Sequence, residues 1–300
     1  MRIVSEMAEI GGGNMKAYTL GLYEKSMPSD LTWREKLMAA KQAGFDFLEI
    51  SIDETDAKLS RLDMTQEERA GLVAIMNGVG MPIRTMCLSG HRKYPLGSSD
   101  PKVCARGMEI MEKAISLAED LGVRIIQLAG YDVYYEESSP ETKERFAKNL
   151  QKAAEMAARA GVVLGFETME TEFMNTVEKA MNYVNMVNSS YLTVYPDIGN
   201  ITNAAVSYGT DVLEDLEKGK GHLAAMHLKE TVPGKFREIP FGTGHVNFEA
   251  AIQKAWELGV RKYVTEFWYT GNENWRADLV FAKQMMTHIL KKQDTERQVA

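Results

Sequence analysis

The chain has 300 residues, of which 45% are hydrophobic and 26% charged, a composition typical of globular proteins that excludes extensive disorder. Its formal net charge of −7 argues against general nucleic-acid binding, because phosphate backbones are bound mainly by clustered Lys and Arg. No apolar run approaches the ~20 residues of a membrane span and no signal-peptide core is visible, so we expect a cytoplasmic protein without membrane contact. The two cysteines, Cys87 and Cys104, form no CxxC motif, so neither a disulfide framework nor a thiolate zinc site is predicted.

Strand-like and helix-like segments alternate along most of the chain. Residues 1–14, which contain three consecutive glycines, are interpreted as a flexible leader, and residues 15–300 as a single domain. Thr65 and Glu68 have the spacing of a capping box, and Gly44 and Gly161 are predicted to end helices. Strands are predicted at residues 17–23, 45–52, 83–88 and 124–129, in the runs ending at Glu167 and Asp197, at residues 222–228 and in the run ending at Glu266. Helices are predicted at residues 32–44, 65–79, 101–121, 140–160, 177–187, 212–218, 248–258 and 275–290.

These segments form eight strand and helix pairs with no composition break that would mark a linker. Strands that alternate with helices at this spacing indicate a parallel sheet, and eight such units favour closure into a barrel. The sequence therefore predicts an α/β fold of the (β/α)8 TIM-barrel type.

Polar residues that can bind a metal follow the last four predicted strands. Glu167, Asp197 and Glu266 each come at the end of an apolar run, and His227 lies near the end of its own. The carboxyl ends of barrel strands meet at one rim, where TIM barrels keep their chemistry. Three carboxylates and one imidazole suit Mn²⁺, Zn²⁺, Co²⁺ or Mg²⁺, and the ligand set does not choose among them. The pattern thus predicts one divalent metal ion.

Five longer motifs carry a resemblance to a known family. They are LGLYEK at residues 20–25, MCLSGHR at 86–92, QLAGYDVYY at 127–135, YPDIGN at 195–200 and PFGTG at 240–244. The chain resembles, from residue 17 to about residue 289, the L-ribulose-5-phosphate 3-epimerase family, also named L-xylulose-5-phosphate 3-epimerase. That family belongs to the xylose-isomerase-like TIM barrels.

The resemblance implies a mechanism for the four polar residues. Ketose 3-epimerases of this kind hold one divalent ion with a Glu, Asp, His, Glu set that matches Glu167, Asp197, His227 and Glu266, and the two glutamates serve as the acid and base pair. The reaction passes through a cis-enediolate, which the metal stabilises, and needs a base on one face of C3 and an acid on the other. The implied activity interconverts L-ribulose 5-phosphate and L-xylulose 5-phosphate in L-ascorbate or pentose breakdown.

Several further residues are expected to bind the small-molecule ketopentose phosphate. In related barrels an arginine near Arg237 is implied to hold a substrate oxygen or a carboxylate ligand, and Trp268 follows Glu266 by two residues. Free-sugar 3-epimerases tend to carry a histidine where this chain has Asn200, which is compatible with a phosphorylated substrate. The other cations expected on carboxyl-end loops, where some could bind the phosphate, are Lys25, His91, Arg92 and Lys229.

Three alternatives stay open at this point. An aldose-ketose isomerase such as hexulose-6-phosphate isomerase would share the enediolate and move a proton between C1 and C2. A DNA abasic-site phosphodiesterase with three zinc ions is disfavoured, because this acidic chain has only five histidines. A sugar-binding module without turnover is disfavoured by the paired glutamates. The sequence leaves a homo-oligomer open.

Overall fold

Eight short apolar segments form the parallel strands of a barrel in the computed structural model, which describes residues 16–296. The expected leader, residues 1–14, lies outside the described residues. Most strand residues are buried because helices cover the outer face and side chains fill the interior. The strands are Thr19–Tyr23 (β1), Phe47–Ile52 (β2), Ile83–Leu88 (β3), Ile125–Ala129 (β4), Val163–Glu167 (β5), Leu192–Val194 (β6), Met226–Leu228 (β7) and Lys262–Thr265 (β8).

The strand order is β6-β5-β4-β3-β2-β1-β8-β7, and every ladder is parallel. Isolated bridges join the two ends of this order, one between Val194 and Leu223 and one between Asp197 and His227. The His227 amide donates to the Pro196 carbonyl at 2.9 Å across the same seam. The sheet therefore closes into the predicted (β/α)8 barrel.

Helices follow the strands and pack their apolar faces against the sheet. The predicted capping box is present at Thr65 and Glu68, and Gly80 ends that helix in the left-handed conformation at φ 69°. The helices are Trp33–Gln42 (α1), Asp56–Leu59 (α2), Gln66–Val79 (α3), Pro101–Leu121 (α4), Pro140–Ala160 (α5), Val177–Val187 (α6), Ile198–Tyr208 (α7), Val212–Lys218 (α8), Phe248–Glu257 (α9) and Trp275–Glu296 (α10). Among residues 16–296, none of these helices has the length and apolar character needed to cross a membrane.

The structure differs from the sequence prediction in several elements, among them short helix α2, which was not predicted. The strand predicted at residues 222–228 begins only at Met226, because Gly221 turns the chain at φ 81° and leaves His222 exposed before the strand. Helix α10 continues past residue 290 to Glu296. Helix α7 was not predicted, since its first half, Ile198–Asn203 in the sequence, mixes Gly, Asn and Thr in the manner of a loop.

Helix α7 is held by burial and by a close approach to β7. The Asp197 carboxylate caps the helix by accepting a hydrogen bond from the backbone amide of Asn200 at 2.7 Å. A side chain on Gly199 would meet the Thr231 methyl group at 2.7 Å and the Lys229 carbonyl oxygen at 2.8 Å, so only glycine lets the first turn of α7 approach the end of β7. This approach brings Asp197 into the rim of the barrel.

Candidate active site

The four residues predicted to bind a metal converge at the carboxyl rim of the barrel. Glu167 is the last residue of β5, Asp197 follows β6 as the N-cap of α7, His227 lies in β7, and Glu266 follows β8. All four are buried, and each offers one ligand atom within 4.8 Å of those of the other three. The structure thus brings together side chains from four consecutive strands.

The imidazole of His227 presents one nitrogen to the three carboxylates. Nδ1 lies 2.7 Å from Glu266 Oε2, 3.8 Å from Glu167 Oε1 and 3.9 Å from Asp197 Oδ2. Oδ2 of Asp197 is buried and accepts no hydrogen bond from residues 16–296; the Lys229 ammonium lies 3.1 Å away as an ion pair. A buried oxygen without a hydrogen bond, beside two carboxylates and an imidazole, is the environment that a divalent cation fits. The cluster could therefore hold one metal ion.

The charges of this cluster strongly perturb its ionisation. Burial raises the pKa of Glu167, and the neighbouring Glu266 carboxylate raises it further. Burial also raises the pKa of Asp197 well above its usual range, against the opposing effect of Lys229. For Glu266 the effect of burial is overcome by Lys229 and His227, which hold its pKa well below its usual range. Buried carboxyl groups in such excess over cations favour the binding of a positive ion.

A cavity of about 170 Å³ opens above the cluster. Six of the seven residues predicted to bind substrate line it, and Glu167 and Glu266 form part of its wall. The lining residues are Tyr23, Lys25, Cys87, Ser89, Arg92, Glu167, Met169, Glu170, Asn200, Lys229, Phe236, Arg237, Glu266 and Trp268. The cavity therefore brings together most of the residues predicted to bind substrate, and it gives access to the four-residue cluster.

Four of the predicted cations line this cavity, and three of them pair with carboxylates outside the metal cluster. Lys25 pairs with Asp53 at 2.5 Å. Arg237 donates to Glu170 at 2.9 Å, and an Arg92 nitrogen lies 3.9 Å from the same Glu170 oxygen. The structure places Glu170 in the cavity wall, where it is the shared partner of both arginines.

Two of the predicted residues lie beside the metal cluster, and a third packs against them. The Lys229 ammonium donates to the side-chain carbonyl of Asn200 at 2.8 Å, and the Asn200 amide donates to the Thr168 carbonyl at 2.7 Å. The indole of Trp268 lies 5.9 Å from the Lys229 ammonium and contacts the Tyr23 ring edge to face. Lys229 is thus fixed between the cluster and the cavity.

His91, the seventh predicted residue, does not belong to the described cavity. Its ring is buried and its Nε2 donates to the Gly107 carbonyl of α4 at 3.0 Å. Burial lowers the pKa of His91 to about 4, so the imidazole is neutral at neutral pH. The expectation that His91 acts as a cationic substrate contact is therefore corrected: the 3₁₀ turn at residues 90–92 directs it into the packing against α4.

The buried His91 makes the stability of the fold depend on pH. Its folded pKa lies below the unfolded value of 6.5, so as the pH falls through 6.5 the unfolded chain binds a proton that the folded chain does not. The wild type is expected to lose roughly 3 kcal/mol more stability between pH 7 and pH 4 than His91→Gln. Urea unfolding at both pH values measures this. Exposed His222→Gln should follow the wild type, and equal slopes for His91→Gln and wild type would contradict the prediction.

A second layer of polar residues, which sequence reasoning did not assign to the site, lies beneath the cluster. Glu49 of β2, Gln127 of β4 and Tyr195 after β6 are buried in the barrel interior next to His227. In the sequence, only the alternation of side chains along β2, which turns Glu49 inward, could have singled it out. Glu49 contacts Nε2 of the imidazole, and Gln127 and Tyr195 lie against its ring.

The fold and the site define the class of protein. The family model described as "Xylose isomerase-like TIM barrel" matches residues 37–285, so the chain is a barrel of this class. The chain is 44% identical over 281 residues to the L-ribulose-5-phosphate 3-epimerase UlaE of Shigella sonnei (strain Ss046), covering 93% of this chain and 98% of that protein. It is 45% identical over 269 residues to UlaE of Escherichia coli (strain SMS-3-5 / SECEC), covering 89% and 93%. The chain belongs to the L-ribulose-5-phosphate 3-epimerase family and is an epimerase of the isomerase class.

Solved structures share the fold at low sequence identity. A D-tagatose 3-epimerase-like protein matches with a TM-score of 0.76 and 18% identity, over 94% of this chain and 100% of the other. An L-ribulose 3-epimerase matches with a TM-score of 0.73 and 19% identity, over 94% and 97%. The predicted fold and the predicted family are both confirmed.

Proposed function

We propose that this protein is a metal-dependent 3-epimerase that interconverts L-ribulose 5-phosphate and L-xylulose 5-phosphate. The observation that carries the proposal is the convergence of Glu167, Asp197, His227 and Glu266 beneath a cavity that is also lined by Lys25, Arg92 and Arg237. The relatives of this chain that bear the name L-ribulose-5-phosphate 3-epimerase support the same substrate. The expected setting is the cytoplasmic breakdown of L-ascorbate or pentoses.

The two glutamates are proposed to move the proton at C3. A divalent ion held by the four residues would polarise the C2 carbonyl and make the C3 proton more acidic. Glu167 comes from β5 and Glu266 from β8, and both face the cavity that would receive the sugar. One carboxylate removes the C3 proton from one face, and the other carboxyl group returns a proton to the opposite face, which inverts the centre.

The cations at the cavity are proposed to bind the phosphate. Arg92 and Arg237 both face the Glu170 carboxylate, and Arg92 also lies 3.9 Å from a Glu54 oxygen, so two guanidinium groups are held side by side at the cavity. The buried Nε of Arg92 has no acceptor among the described side chains and backbone atoms. Planar guanidinium groups with free donors suit a phosphate dianion.

Arg92→Gln is expected to raise KM for the ketopentose 5-phosphate by about 10- to 100-fold, because it removes a charge-assisted hydrogen bond worth about 1.5–3 kcal/mol. Turnover of the unphosphorylated ketopentose should change little, because that substrate brings no charge to Arg92. Steady-state kinetics on both substrates measure the difference. Exposed Lys93→Gln is the matched neighbouring control. An equal rise in KM for both substrates would place the phosphate elsewhere.

The proposed reaction is tested by turnover of L-ribulose 5-phosphate in deuterated water with added Mn²⁺, followed by NMR. The expected result is L-xylulose 5-phosphate with deuterium at C3. Label at C1 or C2 would instead identify an aldose-ketose isomerase such as hexulose-6-phosphate isomerase. Absence of both label and product would identify a sugar-binding protein without turnover.

A further inference from the structure

A glutamate on the far side of the barrel contacts the one imidazole of the metal cluster. Oε1 of Glu49, in β2, lies 2.6 Å from Nε2 of His227, in β7, although 178 residues separate them along the chain. Both side chains are fully buried. The contact is made on the nitrogen opposite to Nδ1, which faces Glu167, Asp197 and Glu266.

The Glu49 carboxyl group is itself held in place. The Tyr195 hydroxyl donates to Glu49 Oε2 at 3.0 Å, so each carboxylate oxygen has its own polar partner. The Tyr195 ring also contacts the imidazole edge to face at 5.0 Å between centroids. The Gln127 amide nitrogen lies 3.0 Å from Nδ1 and 3.2 Å from Nε2, packed against the ring. Side chains from three parts of the barrel thus fix the plane of His227.

We propose that Glu49 is a positioning residue of the metal centre, which holds a hydrogen on Nε2 of His227 and so turns the lone pair of Nδ1 toward the three carboxylates. A neutral imidazole has one N–H and one lone pair, and a carboxylate that accepts the N–H decides which nitrogen carries it. Partners of this kind fix the orientation of metal-binding histidines and increase their basicity. The inference rests on the metal dependence in the proposed function.

The nitrogen assignment is tested first on the wild-type protein. NMR of the ¹⁵N-labelled, Zn²⁺-loaded protein should show an imidazole whose Nδ1 is bound to zinc and whose Nε2 retains a slowly exchanging hydrogen. Zinc on Nε2, with the hydrogen on Nδ1, would overturn the proposal. This measurement needs no variant, so it decides the matter even if substitution of Glu49 impairs folding.

Glu49→Gln then tests the positioning role. The glutamine amide has the same shape as the carboxylate, but it can either accept a hydrogen bond from Nε2 or donate one to it. It therefore no longer determines which imidazole nitrogen carries the hydrogen. The dissociation constant for Mn²⁺, measured by competition with a chelator, is expected to rise by about 10- to 100-fold. The visible absorption spectrum of the Co²⁺-loaded variant should also differ from that of the wild type, since ligand orientation sets the spectrum.

Ser51→Ala is the matched control, because Ser51 lies two residues further along β2, is buried, and contacts Tyr23 rather than the cluster. It should bind Mn²⁺ as the wild type does. A Glu49→Gln variant that is folded and binds Mn²⁺ within about twofold of the wild type would overturn the positioning role and leave the proposed epimerase standing. A wild-type protein that binds no divalent ion would overturn both.

Discussion

Glu167→Gln and Glu266→Gln should each lower kcat for epimerisation by about 10²- to 10⁴-fold, the range expected for a positioned acid or base. Both substitutions keep the shape of the side chain while removing the group that takes or gives the C3 proton. Circular dichroism and thermal unfolding should show that each variant remains folded. Glu172→Gln, an exposed position shortly after β5, is the control that should retain full turnover.

Isotope exchange separates the roles of the two glutamates. In a two-base reaction each carboxylate attacks the C3 proton of one epimer only. Each variant should therefore lose solvent exchange at C3 with one of the two epimers, and the two variants should differ in which epimer is affected. Near-normal turnover of either variant would contradict the assignment of acid and base. Loss of exchange with the same epimer in both would contradict the two-face arrangement.

Glu24→Gln should lower the free energy of unfolding by about 3–5 kcal/mol, because it leaves buried cations without their counter-charge. Glu24 is 1% exposed and binds three cations at the carboxyl end of β1. Lys36 lies at 2.8 Å, Lys58 at 2.6 Å, and Arg61 makes two contacts at 2.6 and 2.8 Å. Urea denaturation measures the loss. Glu144→Gln, which breaks an exposed ion pair with Lys148, should cost at most about 1 kcal/mol.

The same cluster predicts how stability responds to acid. Burial alone would raise the pKa of Glu24, but Arg61, Lys58 and Lys36 together hold it well below its usual range. A depressed carboxyl pKa contributes stability that is present above the unfolded value of 4.5 and is lost as the pH falls through the folded value. The stability difference between wild type and Glu24→Gln should therefore shrink below pH 4.5. A difference that is constant with pH would exclude the ion pairs as its source.

Local signals were sufficient for most of the fold. The helices at 101–121, 140–160 and 177–187 were predicted with the observed bounds, because Pro marks the start of the first two and Gly or Asn follows the end of all three in the sequence. Helix α7 was missed because its helical state depends on burial against β7 and on the Asp197 cap, which are tertiary features. The start of β7 after the turn at Gly221 and the end of α10 were also misplaced, because a hydrophobic period does not mark where a strand or helix begins or ends.

The site could be predicted as far as it depends on strand ends. Glu167, Asp197, His227 and Glu266 lie near the carboxyl ends of their strands. In a barrel all these strand ends share one rim, so the convergence of the four residues follows from the topology. The contact between Glu49 and His227 crosses the barrel interior, and no local pattern encodes which inward side chains meet there. His91 was mistaken for a site residue for the converse reason, because loop position does not reveal that a ring turns inward.

The seam between β6 and β7 ties the integrity of the barrel to that of its site. Within residues 16–296 these strands are joined by isolated bridges in place of a ladder, and one bridge pairs the backbones of Asp197 and His227. A local opening of the barrel between these strands would separate two of the four proposed metal ligands in the same motion. A bound cation would hold the two strands together. The rate of ion release and the rate of amide hydrogen exchange along the seam would therefore report the same opening event.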